Sequence, residues 1–191
     1  MDHLEQVLAL KDTKHLEVEF RIGRKNKSFF DTNIGSDHFE KVLRRLSRFP
    51  GWESHPKTEV VEIYYGKREG LRVIYDPETE NQTCIIKKNL KLIDITLPEL
   101  YDVRIALSSE TPGTYEPEVD EFVIKKRTRT SFTRKGLRID CSIVEGTADD
   151  KDSEVSKSYQ IELEILDPKS LDRNLYTNHY AKISDVLKLC A

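Results

Sequence analysis

With 31 Lys and Arg against 34 Asp and Glu in 191 residues, the chain carries a formal charge of −3. That balance argues against coating nucleic acid by bulk electrostatics, while leaving a local polyanion site open. The length suits a single domain over residues 1–191. Hydrophobic content of 37% beside 34% charged residues describes a soluble protein rich in ionic groups, and no apolar run approaches the roughly 18 residues a membrane helix needs.

The chain opens MDHLEQVLALKD, whose acids and missing basic n-region are unlike a secretory signal, so an intracellular placement is expected. Cys84, Cys141 and Cys190 show no CxxC pairing, which points to free thiols in a reducing compartment. Residues 2–11 suit a short helix carrying Leu4, Val7 and Leu8 on one side. SDHFEKVLRRLSRFPG predicts a helix capped by Ser36, with Phe39, Val42, Leu43, Leu46 and Phe49 at helical spacing, stopped by Pro50 and Gly51. After Pro168 a last helix carries Leu171, Leu175, Ile183, Val186 and Leu187 on one stripe.

Between the helices the chain reads as eight strands, near 15–22, 58–65, 70–76, 83–90, 101–110, 119–132, 136–144 and 156–166. YGKREG, DPETENQ, TRKG and EGTADDKDS look like turns between them. The acidic stretch from Asp149 to Glu154 reads as a hairpin tip. Eight strands joined mostly by short turns predict an α+β fold that is mainly β: an eight-stranded antiparallel closed barrel.

In HLEVEFRIG, Leu16, Val18, Phe20 and Ile22 alternate with Glu17, Glu19 and Arg21. Strand side chains alternate faces, so one face is apolar and the other holds two carboxylates and a guanidinium. YQIELEIL repeats the pattern, with Glu162 and Glu164 opposite Ile161, Leu163 and Ile165. Were the first and last strands neighbours, four carboxylates would converge, which is destabilising without a cation among them. Carboxylate oxygens are the hard ligands that Mg²⁺ and Mn²⁺ prefer.

The intervening strands supply positive charge at the same period. From Phe122 to Ile139 there are seven Lys or Arg and no acid. Lys125, Arg127 and Arg129 share a face; Arg138 and Asp140 oppose Leu137, Ile139 and Cys141; Arg104, Ser108 and Glu110 oppose Val103, Ile105 and Leu107; Arg72 opposes Leu71 and Val73. In CIIKKNL the phase is ambiguous, and either Lys87 or Lys88 faces the charged side. Arg104 and Glu110 serve equally well as members of plain cross-strand ion pairs. Two arrangements remain open: an apolar interior with all charges in solvent, or helices packed outside on the apolar faces with the charges lining a tunnel. The second is costly unless acids, bases, water and metal satisfy one another.

The ordered set, ExExR on the first strand, basic residues on the middle strands and a final ExE, resembles the triphosphate tunnel metalloenzymes. Within them it is most similar to the metal-dependent RNA 5′-triphosphatases of fungi, protozoa and large DNA viruses, and in size to the small viral members. The resemblance spans roughly residues 15–166. It implies that Glu17, Glu19 and Glu164 bind Mg²⁺ or Mn²⁺, and that Glu162 orients the attacking water. Arg72 and Lys87 (rather than Lys88), with Lys125, Arg127, Arg129 and Arg138, would contact phosphate. Asp140 would support phosphate and metal-bound water, Glu110 would be the acidic residue of the middle strand, and Arg21 would hold the acids in position. Gln160 departs from some fungal members, which place a glutamate there.

The implied reaction releases the γ-phosphate of triphosphate-ended RNA, leaving the diphosphate end used in cap addition. The implied partners are the RNA 5′ end, free nucleoside triphosphates, and a separate guanylyltransferase, since no KxDG motif is present. For a viral member the compartment would be the host nucleus or cytoplasm. The rival readings are a tunnel enzyme acting on tripolyphosphate, thiamine triphosphate or ATP, and a non-enzymatic polyanion-binding barrel. The sequence has no GxxxxGK[ST], no Arg six residues after Cys84 or Cys141, and no HExxH among its five histidines. P-loop, cysteine-phosphatase and zinc chemistry therefore lack their motifs.

Overall fold

Nine strands and three helices follow one another along the chain in a computed structural model that describes residues 3–116, 122–146 and 156–190. They are α1 (His3–Leu8), β1 (Leu16–Lys25), β2 (Phe30–Asp31), α2 (Ser36–Arg48), β3 (Lys57–Gly66), β4 (Leu71–Asp76), β5 (Asn81–Ile95), β6 (Asp102–Pro112), β7 (Phe122–Arg134), β8 (Leu137–Gly146), β9 (Lys157–Ile165) and α3 (Arg173–Cys190). The expected tip at Asp149–Glu154 lies outside the described residues, as does the start of the strand expected from residue 119.

The sheet order is β2-β1-β6-β5-β4-β3-β7-β8-β9, and β1 also pairs with β9. Two antiparallel meanders, β3 to β6 and β7 to β9, are joined by a β3–β7 ladder, and β1 closes the ring between β6 and β9. The result is the closed eight-stranded barrel, with the two-residue β2 as an outrigger on β1 that periodicity had no length to reveal.

The helices decide which way the strands face. One core gathers Val18, Phe20 and Ile22 of β1, Val103, Ile105 and Leu107 of β6, Leu137, Ile139 and Cys141 of β8, and Ile161, Leu163 and Ile165 of β9. Against them pack Leu4 and Val7 of α1, Phe39, Val42 and Leu46 of α2, and Tyr176, Ile183, Val186 and Leu187 of α3. The apolar faces therefore point outward to helices, and the intervening charged residues point inward. This selects the tunnel over the apolar barrel.

Two local expectations change. Ser36 is the first helical residue of α2; the cap position is Gly35, at φ 80°, and no side chain caps the helix. α3 runs unbroken through Asn178, and Leu171 is buried just before it, after a 3₁₀ turn at Pro168–Ser170. The three cysteines are free thiols.

Candidate functional site: a charged tunnel

Register places the acids together. Glu19 lies directly opposite Glu164 across the β1–β9 ladder, and Arg21 opposite Glu162. Across β8–β9, Arg138 faces Glu164 and Asp140 faces Glu162. Arg21 Nε lies 3.1 Å from Glu162, Arg138 Nε donates to Asp140 at 2.9 Å, and Arg138 Nη2 donates to Glu164. On the other side of β1, Ser108 pairs in register with Glu17, and its hydroxyl donates to that carboxylate at 3.2 Å.

Lys87 resolves the ambiguity of its strand, being buried in the tunnel while Lys88 is exposed. Its ammonium sits 2.5 Å from Glu17, 3.4 Å from Glu19 and 3.0 Å from Glu110. Backbone chemistry holds it there. Gly70 adopts φ 77°, its carbonyl accepts from the Lys87 N–H at 2.9 Å, and a Cβ on Gly70 would lie 2.3 Å from the Lys87 carbonyl oxygen. Only glycine combines that conformation with so close an approach.

Burial and like charge act on these groups together. Burial raises Glu17 above the usual carboxylate range, and Glu19 and Glu110 add to it against Lys87. Burial, opposed by Arg138, pushes Glu164 up to about 7. Glu162 is likewise raised by burial and by Glu19. Glu19 is also desolvated, yet Lys87 and Arg21 hold it below its ordinary value. The carboxylates of Glu17, Glu19 and Glu164 each offer an oxygen, and these atoms lie within 4.8 Å of one another. Hard oxygen donors at that spacing, short of positive charge, suit Mg²⁺ or Mn²⁺.

The facing wall is cationic. Arg129 pairs with Glu59 and lies 3.4 Å from Asp140; Arg127 lies 3.6 Å from Glu59. Burial and the neighbouring Arg129 lower the Arg127 pKa. The buried Nε atoms of Arg127 and Arg129 have no hydrogen-bond partner among the described residues, leaving donors directed at no protein acceptor. Arg72 and Lys125 are also inward by register, but they stand apart from the acids. Arg72 lies over the Tyr65 ring at 5.3 Å, and Lys125 at 5.5 Å.

Every expected site residue therefore occupies an inward position. Arg104 and Glu110 do form cross-strand ion pairs, with Asp94 at 2.7 Å and with Lys87 respectively. Periodicity missed Glu59, Ser131 and Asp94. Ser131 donates to Asp140 at 2.7 Å. Glu59 was hidden because Glu59 and Glu62 fall on opposite faces of β3, which blurs the alternation. Val61 and Ile63 share the inward face of β3 with Glu59, so part of the tunnel wall is apolar.

The family described as mRNA capping enzyme, beta chain, matches residues 13–185. The chain belongs to this family. It is 29% identical over 167 residues to the 5′ RNA triphosphatase A449R of Paramecium bursaria Chlorella virus 1, covering 87% of this chain and 83% of that one. The structure of S. pombe Pct1 RNA triphosphatase, solved in complex with the Spt5 CTD, superposes with a TM-score of 0.78 at 14% identity, covering 97% of this chain and 89% of that chain. A conserved hypothetical protein of Pyrococcus furiosus shares the fold more loosely, with a TM-score of 0.52 at 14% identity over 90% of each chain. The capping family member thus carries its charges inside a closed barrel of the same architecture as Pct1.

Proposed function

We infer that this chain hydrolyses the γ-phosphate of 5′-triphosphate RNA, releasing phosphate and leaving a 5′-diphosphate end, the first step of mRNA capping. The observation that carries the reading is the convergence of Glu17, Glu19 and Glu164 beneath a cationic wall inside one tunnel. Family membership over residues 13–185 favours RNA ends over tripolyphosphate or thiamine triphosphate.

In this reading Glu17, Glu19 and Glu164 hold one or two Mg²⁺ or Mn²⁺ ions. The metal supplies charge neutralisation on the terminal phosphates and lowers the cost of in-line attack by water. The protein supplies the rest. Arg127 and Arg129 present planar forks whose unpaired Nε donors meet non-bridging phosphate oxygens. Lys87 leaves part of its charge with Glu17 and Glu110 and directs the remainder at phosphate. Arg72 and Lys125, beside Tyr65, take the next phosphates along the chain. Glu162 orients the attacking water, Arg21 holds Glu19 and Glu162, and Arg138 and Asp140 brace the wall between acids and bases.

Free nucleoside triphosphates would fit the same grip, because a tunnel that holds the triphosphate need not read a base. A separate guanylyltransferase would take the diphosphate product, and residues 1–191 would act as one tunnel domain. Release of labelled phosphate from triphosphate-ended RNA with Mg²⁺ or Mn²⁺ tests the reading, with tripolyphosphate as competitor. Phosphate release that Glu17→Ala abolishes supports it. No release with either metal, or full activity in Glu17→Ala, overturns it.

A further inference from the structure

Outside the barrel, α2, α3 and the β7–β8 hairpin enclose a cavity of about 690 Å³ that the tunnel chemistry does not use. Volumes of this order hold specific ligands or anchor side chains. Its floor is Leu137 and Ile139 of β8, its sides include Leu46 and Val186, and Phe49 and Trp52 form an aromatic wall. That wall is fixed: Trp52 Nε1 donates to the Leu46 carbonyl at 2.8 Å, and its ring lies 5.3 Å from Phe132. Phe49 nevertheless remains 39% exposed.

Two observations say what would cover it. The first is charge. Among the described residues Arg45, Arg134, Lys135 and Lys182 line the cavity against one acid, Asp185, which Lys182 already engages at 3.2 Å. Arg134 lies over the Phe49 ring at 5.0 Å, so its guanidinium borders the apolar wall directly. The second is His179, which lines the cavity although only 4% exposed. Its Nε2 lies 3.2 Å from the Lys135 carbonyl, which can only accept, so Nε2 donates there and Nδ1 is the ring's remaining polar atom. Nδ1 has no partner among the described residues, a deficit that a donor from outside would relieve.

We propose that this groove docks an acidic segment of a partner protein, which inserts one aromatic side chain bearing an N–H or O–H donor. The ring fills the space between Phe49, Trp52 and the β8 floor, and its donor reaches His179 Nδ1. Flanking Asp or Glu residues pair with Arg45, Arg134 and Lys135. A buried aromatic anchor inside a charged rim is the usual anatomy of a tight peptide contact. The docked segment sits on the back of β8, whose alternate residues Arg138 and Asp140 face the tunnel.

The test pans a random peptide library displayed on phage against the full chain, with Ala181→Trp as the counter-screen. Ala181 is exposed on α3 and lines the groove, so a tryptophan there fills the space without cutting the core. Enriched peptides are expected to share an aromatic residue flanked by Asp or Glu. Their affinity, read by fluorescence polarisation, should fall by about tenfold or more in Ala181→Trp and in Arg134→Glu with Lys182→Glu. The thermal midpoint and phosphate release of Ala181→Trp should stay as in the parent. No enrichment, peptides without acids, or undiminished binding by Ala181→Trp overturns the proposal. So does concentration-dependent self-association that Ala181→Trp removes, which would assign the groove to a second copy. Binding is read without catalysis, so failure here leaves the tunnel reading untouched, and the reverse also holds.

Discussion

The barrel has two halves built on opposite rules. On β1, β6, β8 and β9 the outward residues are apolar and sealed by helices: Val18, Phe20, Ile22, Ile105, Leu107, Ile161 and Leu163 are essentially inaccessible. On β3 and β7 the outward side meets solvent. Val60 is 36% exposed, Thr58 and Lys126 are exposed, and the Thr58 and Thr130 hydroxyls pair at 2.9 Å on that surface. There Val61 and Ile63 of β3 are buried but point inward and lie outside the helix-backed core, and only towards the end of β7 does an outward residue, Phe132, join that core against Trp52. The helix-backed half supplies the rigid acidic wall, while the bare half carries Arg127, Arg129 and Lys125. Stability is concentrated behind the proposed metal ligands, where carboxylates forced together need a scaffold that does not yield.

Charge removal on the backed wall should have the largest effect on activity. Glu19→Ala is expected to lower phosphate release by at least about a hundredfold, in line with losing one centre of transition-state charge stabilisation. It should leave the circular dichroism spectrum unchanged, since Glu19 contributes no apolar packing. Retained turnover would show that the acids are structural.

Next come the outward faces. Phe20→Ala should cost about 3–5 kcal/mol in urea unfolding, the range for a fully buried aromatic. Val60→Ala should stay within about 0.5–1 kcal/mol, because its site is solvated. Equal costs would erase the distinction between the two halves.

A smaller effect is expected at the turn between β3 and β4. Gly70→Ala must leave a conformation at φ 77° and press on the Lys87 carbonyl. About 1–2 kcal/mol of stability should go, together with a rise in KM for triphosphate RNA as Lys87 shifts. An unchanged KM would mean that Lys87 does not touch substrate.

The smallest predicted change is in pH dependence. Folded Glu164 holds its proton up to about 7, whereas an unfolded glutamate releases it near its ordinary value of 4.5. The folded state therefore binds more protons between those values. This group's contribution to metal-free stability is complete below the unfolded value and is lost as pH rises through the folded one. A divalent ion displaces that proton, so the gain in thermal midpoint from Mg²⁺ should be larger at about pH 8 than at about pH 5. An equal gain at both would remove Glu164 from the ligand set.

The same contrast explains what could be read from the sequence. β1, β8 and β9 spell their role because helices demand a clean apolar face, leaving Glu17, Glu19, Arg138, Asp140, Glu162 and Glu164 in one phase. Whether that phase faced in or out was open until the helices were seen to pack outside. Among the described residues no helix backs β3, so Val60 and Val61, or Glu59 and Glu62, occupy both faces, and the alternation does not single out Glu59. In CIIKKNL two adjacent lysines carry no phase at all. Lys87 is selected by contacts distant in sequence, the Gly70 approach and Glu110. Ser36 misled because Gly35, with its positive φ, takes the cap position instead.

The central claim, that inward acids hold a divalent ion against the triphosphate, is tested most directly by anomalous diffraction from crystals soaked in Mn²⁺. A peak within bonding distance of Glu17, Glu19 and Glu164, inside the barrel and facing Arg127 and Arg129, is the expected result. Mn²⁺ bound only on the outer surface, with Lys87 still filling the acidic cluster, would contradict it.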